Sequence, residues 1–287
     1  MQLKEALTNA VSHLAANNVP SPRMNAELLL MFTLSCDRAY LFAHPEQKLS
    51  SEERSRYESA LAERSRGVPA QYITGHQEFW GMDLIVSPAV LIPRPETEHV
   101  VETVLELIRA ESREECQGRH LRVVDVGTGS GCIALALARE LPKVEIHATD
   151  VSRIALEIAR ANAARLQLEQ RVNFHETDLL DGLNGGFDIV VSNPPYVGES
   201  EKDTVQLEVR KFEPRIAVFA GPNGTEVIKR LIPAARSALH PGGWLVMEIS
   251  GTIVERVQAL MNGWQEVETI PDLQSIPRVV RARKPLA

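Results

Sequence analysis

Four consecutive residues, Asn193-Pro194-Pro195-Tyr196, have the groups best suited to chemistry on a nitrogen atom. They follow Phe187-Asp188-Ile189-Val190-Val191-Ser192, an apolar run that reads as a buried strand. Proline cannot donate to a sheet ladder, so this strand must end at Ser192 or Asn193 and leave the next residues at the carboxyl edge, where open α/β sheets bind ligands. Proline also fixes φ, which holds the Asn193 side chain and the carbonyls of Asn193 and Pro194 in a rigid pose. Two acceptors aimed at one spot beside an aromatic wall suit a planar nitrogen with two N–H donors, a carboxamide or an exocyclic base amine. Accepting both hydrogens orients the lone pair and enriches the nitrogen in electrons. Asn-Pro alone also serves as a capped strand end; Pro-Pro-Tyr and a glycine-rich turn upstream favour the chemical reading.

That turn is Gly127-Thr128-Gly129-Ser130-Gly131, between a strand predicted over 121–126 and a helix that starts at Cys132. Glycines there let a ligand lie directly on the backbone. A dinucleotide site wants a third glycine at position 132, where this chain has Cys132, and a helix N-terminus open to a pyrophosphate. A cofactor without phosphate fits better. S-Adenosylmethionine has a ribose for Asp150 at the end of a strand over 144–149. Its adenine would lie beside Asp178 and Leu179 after a strand over 172–175, and its cationic methionine end would face Asp125. Three carboxylates at successive strand ends, with Asn193 on the fourth, carry this reading. The eight histidines show no pairing at ligand spacing, so no metal is predicted.

The remaining elements must position these groups. Leu3, Ala6, Leu7, Ala10, Val11, Leu14 and Ala15 recur at helical spacing, and Ser21-Pro22 reads as an N-cap and first turn of a second helix. A short helix over 38–43 follows, then a capping box of Ser50 and Glu53 opens a helix reaching about Ser65. Residues 1–68 thus read as an all-α helical bundle, and 69–94 as a hairpin about Trp80-Gly81 plus a linker. Pro93 and Pro95 flank Arg94, a stiffly held cation that could close over the cofactor. The doubly wound α/β domain occupies 95–287. Within it, the charged stretch 199–215 reads as a mobile loop over the site, and His240-Pro241-Gly242-Gly243 as a turn into the strand 244–249.

The chain has 287 residues, 44% of them hydrophobic, which fits one large domain with a smaller one. A formal net charge of −7 argues against a protein whose main task is to grip a phosphate backbone. Cys36, Cys116 and Cys132 are far apart and odd in number, as expected of reduced thiols used in packing. The start lacks a signal-peptide pattern and no apolar run is long enough for a membrane span, so a cytoplasmic location with no membrane partner is expected.

The glycine turn with Asp125-Val126 before it, together with Asn193-Pro194-Pro195-Tyr196, resembles the class I S-adenosylmethionine-dependent N-methyltransferases. Gln71-Tyr72-Ile73-Thr74-Gly75, Leu91-Ile92-Pro93-Arg94-Pro95-Glu96-Thr97-Glu98 and Phe212-Glu213-Pro214-Arg215 narrow this to the bacterial release factor glutamine methyltransferases of the PrmC/HemK family. The resemblance covers nearly the whole chain. It implies a mostly parallel seven-stranded sheet and methylation, at N5, of the glutamine in the Gly-Gly-Gln motif of class-1 peptide chain release factors, in support of translation termination. It also implies that Gly127, Thr128, Gly129, Ser130, Gly131, Asp150, Asp178, Leu179 and Asn193 line the cofactor site. Asn193, Pro194, Pro195 and Tyr196 would hold the glutamine, with Asn193, Pro194 and Tyr196 in catalytic roles and the bundle recognising the protein substrate. Leu179 stands where some relatives carry tryptophan, and Ser250-Gly251-Thr252 replaces the usual glycine and glutamine. Two other classes compete. An adenine-N6 or other nucleic-acid methyltransferase would need a basic channel and stacking aromatics, which the −7 charge and 5% aromatic content do not favour. A non-catalytic cofactor-binding module would keep the fold without the chemistry.

Overall fold

A strand with no polar face must be covered on both sides, and Phe187–Ser192 is buried at all six positions. In the computed structural model, which describes residues 1–111 and 120–286, it lies at the centre of a seven-stranded sheet. The chain divides into two compact units, Met1–His76 with Leu207–Phe212, and Gln77–Gln206 with Glu213–Ala287.

The first unit is helical: α1 (Leu3–Ala16), α2 (Pro22–Leu34), α3 (Arg38–Ala43), α4 (Ser51–Ser65) and α5 (Ala70–Thr74). Helix therefore continues past residue 68, into the stretch expected to be hairpin and linker. Leu3, Leu14, Leu29, Leu30 and Tyr57 fill the core, and the Tyr57 hydroxyl donates to the Ala26 carbonyl at 2.9 Å. The capping box forms as expected, with Glu53 N–H donating to Ser50 Oγ and Ser50 N–H to Glu53. Ser21 does not cap: its backbone is left-handed, at φ +47°, and Pro22 alone opens the helix.

The stretch 199–215 is not a loop. It holds a 3-10 helix at Glu199–Thr204 and a short helix at Leu207–Phe212, and another turn of helix follows at Arg215–Val218. Part of the reason is the buried Arg64, which donates to Asn25 Oδ1 at 2.7 Å and pairs with Glu208 at 2.8 Å. A buried guanidinium needs such a partner, and the pair holds Leu207–Phe212 in place.

The second unit starts with the hairpin β1 (His76–Phe79) and β2 (Met82–Ile85). Its two turn residues, Trp80 and Gly81, both have positive φ, as a type I′ turn requires. A 3-10 turn at Pro95–Thr97 leads to α6 (Glu98–Glu111). Then come β3 (Arg122–Val126), α7 (Cys132–Glu140), β4 (Glu145–Asp150), α8 (Arg153–Arg165), β5 (Val172–Glu176) and β6 (Phe187–Ser192). The chain closes with α9 (Glu226–Ala238), β7 (Leu239–Glu248), α10 (Val254–Leu260), β8 (Gln265–Pro271) and β9 (Pro277–Arg283). His240 to Gly243 belong to β7, not to a separate turn; the register with β6 slips there, which absorbs the extra residues as a bulge.

The sheet order is β5-β4-β3-β6-β7-β9-β8, parallel from β5 to β7 and antiparallel at β9 and β8. Alternate strand residues feed two cores. Val123, Ile189, Val191 and Val246 pack with the hairpin and α6 to α8, while Val124, Val190, Leu245 and Met247 pack with α9 and α10. Cys36 and Cys132 are free thiols, and Cys116 lies outside the described residues. Among the described residues, no helix is long and apolar enough to cross a membrane.

One carboxylate sits inside this apolar packing. Asp125 in β3 is fully buried, and its Oδ2 accepts from Thr128 Oγ1 at 2.6 Å and Ala134 N–H at 3.2 Å. Its Oδ1 meets no donor among the described residues. Burial pushes the carboxyl up to about 7, against the pull of those two bonds, and Asp150 adds repulsion. The folded chain then holds a proton that the unfolded chain releases near its ordinary value of 3.8, so stability falls as pH rises through that window and levels off above about 7. Asp125→Asn, neutral throughout, is expected to gain about 1–2 kcal/mol over the wild type at pH 8, after allowance for an imperfectly satisfied amide, and less at pH 5. Thermal melts of both proteins at the two pH values check this; an advantage no larger at pH 8 would overturn it.

Candidate active site

The chain lays down β3, β4 and β5 toward one edge of the sheet, then returns to place β6 on the other side of β3. The order reverses there, which opens a crevice beyond the carboxyl ends of β3 and β6. Val126 pairs in register with Ser192, so the glycine turn and Asn193 leave the sheet side by side. A cavity at this edge is lined by 127–130, by Asp150, Asp178 and Leu179, and by 193–195, with 89–91 and Pro93 on its rim.

Gly127, Gly129 and Gly131 all have positive φ, the region where glycine costs least. A Cβ at Gly127 or Gly129 would meet nothing within 4 Å, so the turn offers bare backbone to a ligand. Gly131 serves a different end: a Cβ there would press on Leu135 and Ala159 at 3.1 and 3.2 Å, and it is absent from the cavity lining. The turn is pinned from two sides. Gly127 and Thr128 N–H both donate to the Thr149 carbonyl at 2.9 Å, and the buried Asn162 of α8 donates to the Ser130 carbonyl at 2.9 Å while bridging both backbone groups of Ile85.

Asp150 closes the turn. Its Oδ2 accepts from Gly129 N–H at 2.9 Å and its Oδ1 from Ser152 N–H at 2.8 Å, which leaves each oxygen a further lone pair for a hydroxyl. Partial burial raises its pKa, and these backbone bonds oppose the rise. Asp178 lies on the cavity wall, paired with Arg230. Leu179 has a positive φ, and its carbonyl accepts from Thr149 Oγ1 at 2.8 Å. A ribose between Asp150 and the glycine turn, with an adenine near Asp178 and Leu179, fits this lining.

Two expected charges are placed elsewhere. Asp125 is turned into the core beneath the turn and does not line the cavity, because its bonds to Thr128 and Ala134 hold it there. Arg94 does not reach over the cavity. It pairs with the buried Glu213, whose other oxygen accepts from Ile92 N–H at 3.2 Å, so Glu213 fastens the cavity rim.

At the end of β6, Asn193 is half-buried and faces the cavity with Pro194 and Pro195. Its Nδ2 donates to Thr97 Oγ1 at 3.1 Å, and no donor among the described residues occupies its Oδ1. Thr97 Oγ1 in turn donates to Glu248 Oε2 at 2.6 Å. Tyr196 is absent from the cavity lining. Its ring packs on the core cluster that contains Val126 and Met247, and its hydroxyl donates to Glu248 Oε1 at 3.0 Å. Burial, then the Glu248 charge, raises the Tyr196 pKa well above its ordinary value. Burial also raises the Glu248 pKa, against the two hydroxyl donors and the charge of Arg278.

The motif reading gave no individual role to Thr97, Glu248, Asn162 or Glu213. A lone carboxylate within the apolar run Trp244-Leu245-Val246-Met247-Glu248-Ile249 was a legible signal for Glu248. Thr97 and Glu213 stood inside family-specific motifs, and Asn162 had no signal at sequence level beyond its polarity.

Two family models match this chain, the PrmC N-terminal domain over residues 5–75 and the methyltransferase small domain over residues 107–211. A release factor glutamine methyltransferase of Koribacter versatilis is 55% identical over 287 residues, covering 99% of both chains. One from Moorella thermoacetica is 41% identical over 95% of each. Among solved structures, the catalytic domain of hMettl16 in complex with the MAT2A 3′UTR hairpin 1 superposes with a TM-score of 0.57 over 86% of this chain and 85% of that one. At 16% identity that likeness shows the fold alone. The relatives matched from end to end, the bare glycine turn and the Asn193 corner agree: the chain belongs to the release factor glutamine methyltransferase family and is an S-adenosylmethionine-dependent protein-glutamine methyltransferase.

Proposed function

We propose that the methylated atom is N5 of the glutamine in the Gly-Gly-Gln motif of class-1 peptide chain release factors, and that this modification supports translation termination in the cytoplasm. The observation that carries the reading is the commitment of Asn193 Nδ2 to Thr97, which leaves Oδ1 without a donor among the described residues on a side chain that lines the cavity together with Pro194. A side-chain amide is a poor nucleophile because its lone pair is delocalised into its carbonyl. Asn193 Oδ1 and the Pro194 carbonyl each accept one amide hydrogen, which fixes the nitrogen and polarises it toward nucleophilic character. S-Adenosylmethionine, when bound, supplies an electrophilic methyl group. Once alkylated, the nitrogen carries positive charge and releases a proton to water without a side-chain base.

Gly127, Thr128, Gly129, Ser130, Asp150, Asp178 and Leu179 hold the cofactor in this reading. Tyr196 supports the Asn193 corner from behind, through Glu248. The helical bundle, expected over 1–68, recognises the protein substrate; 69–94 hold α5 as well as the hairpin and linker, and the domain over 95–287 carries the catalysis. A glutamine in a flexible loop offers too little surface for selectivity by itself. With a net charge of −7 the enzyme acts on the protein without direct contact to nucleic acid or membrane.

Mass spectrometry of a class-1 release factor after incubation with enzyme and S-adenosylmethionine tests the reading; one methyl group on the motif glutamine is expected, and an unmodified glutamine would sink it. Asn193→Ala should abolish turnover, while its cofactor affinity by titration calorimetry stays within about threefold. Asp150→Ala, which also releases the Gly129 and Ser152 N–H groups, should weaken cofactor binding at least about tenfold. Turnover at saturating cofactor should fall much less than in Asn193→Ala.

A further inference from the structure

We infer that Thr97 and Glu248 are positioning residues that set the direction in which the Asn193 amide points, and so make its corner an acceptor for an NH2 group. The inference rests on the glutamine-methylation reading above. An amide can face the cavity with oxygen or with nitrogen, and its hydrogen-bond network decides which. With Glu248 ionised, the network leaves one choice. An ionised carboxylate only accepts, so Thr97 spends its one hydroxyl hydrogen on Glu248 Oε2 and Tyr196 spends its own on Oε1. Toward Asn193, Thr97 Oγ1 can then only accept, so Asn193 must present Nδ2 and leave Oδ1 to the substrate. Thr97 and Glu248 are 1% and 2% exposed, so the link between them is shielded from solvent.

The polarity can be inverted by one isosteric change. In Glu248→Gln, the new Oε1 accepts from Tyr196 and the new Nε2 donates to Thr97 Oγ1. The Thr97 hydrogen then turns to Asn193, meets Oδ1, and sends Nδ2 toward the cavity. The opposite setting of the new amide would strand the Tyr196 hydrogen, which has no acceptor but Glu248 among the described residues. With Nδ2 outward, the corner pairs one donor with the Pro194 carbonyl, the wrong match for an NH2 group and a better one for a carboxyl. Protonation of wild-type Glu248 acts in the same sense. The titratable and charged groups around it are Tyr196 after β6, Glu96 in the turn before α6, Arg278 in β9 and the buried thiol of Cys132 at the start of α7.

Kinetics of Glu248→Gln, Thr97→Val and Thr97→Ser with an intact release factor test the relay. The first two should lose roughly 10- to 100-fold in kcat, the scale of one buried hydrogen bond, with cofactor affinity unchanged; Thr97→Ser, which keeps the hydroxyl, should stay within about threefold of wild type. A release factor with glutamate in place of the target glutamine serves as a competitive probe. Wild type should bind it more weakly than the glutamine form, and Glu248→Gln should narrow or reverse that preference. Wild-type kcat should also fall on the acid side above the ordinary glutamate range, a limb that Glu248→Gln lacks. Wild-type kcat in Glu248→Gln, or an unchanged glutamine-to-glutamate preference, would overturn the relay; should Glu248→Gln fail to fold, equal kcat in Thr97→Val and Thr97→Ser would do so. If wild-type enzyme leaves glutamine unmethylated, the functional reading fails instead, and the two failures are distinct.

Discussion

The parallel pairing of β3 with β6 is the constraint on which the site depends. Because Val126 and Ser192 are partners in the ladder, the glycine turn and the Asn193 corner emerge together at one edge. The pairing is deeply set, with Val123, Val124, Ile189, Val190 and Val191 all fully buried between helices on both faces. A slip of one residue would exchange every side chain between the two cores and shift the glycine turn relative to the Asn193 corner. The geometry of the chemistry is thus inherited from a sheet register, and the prolines stop the ladder where the reactive edge must begin.

Polar groups buried in apolar surroundings do the finer positioning. Each is costly to bury and therefore tightly satisfied. Asn162 ties the turn to the end of the hairpin at Ile85, Glu213 ties down the segment at Ile92 and Arg94, and Glu248 gathers two hydroxyls from different parts of the chain. Asp125 is an exception, with one oxygen unpaired among the described residues and its carboxyl pushed up to about 7. It braces the turn through Thr128 and Ala134 at a cost in stability, a form of local strain at a functional site.

The helical unit is built on the same rule. Arg64, buried against Asn25 and Glu208, draws Leu207–Phe212 into the bundle although more than a hundred residues separate them in sequence. A short charged segment that looks like a loop when read locally becomes helix once a buried cation needs its carboxylate.

How much of this could be read from the sequence depends on the range of the interactions involved. The apolar run of β6, the Ser50 capping box, the Trp80-Gly81 turn, the bare glycines and the proline stop after Asn193 are local rules acting over a few residues, and the sequence by itself determined them. The family-specific motifs added the reaction. What only the tertiary structure decided are choices that pair residues far apart: that Asp125 faces inward, that Arg94 is held by Glu213, that Tyr196 bonds to Glu248, and which end of the Asn193 amide is tied to Thr97. A carboxylate at a strand end is compatible with either direction until its donors are known. Those donors, Thr97 for Glu248 and Thr128 for Asp125 among them, are brought within hydrogen-bond distance only by the packed fold.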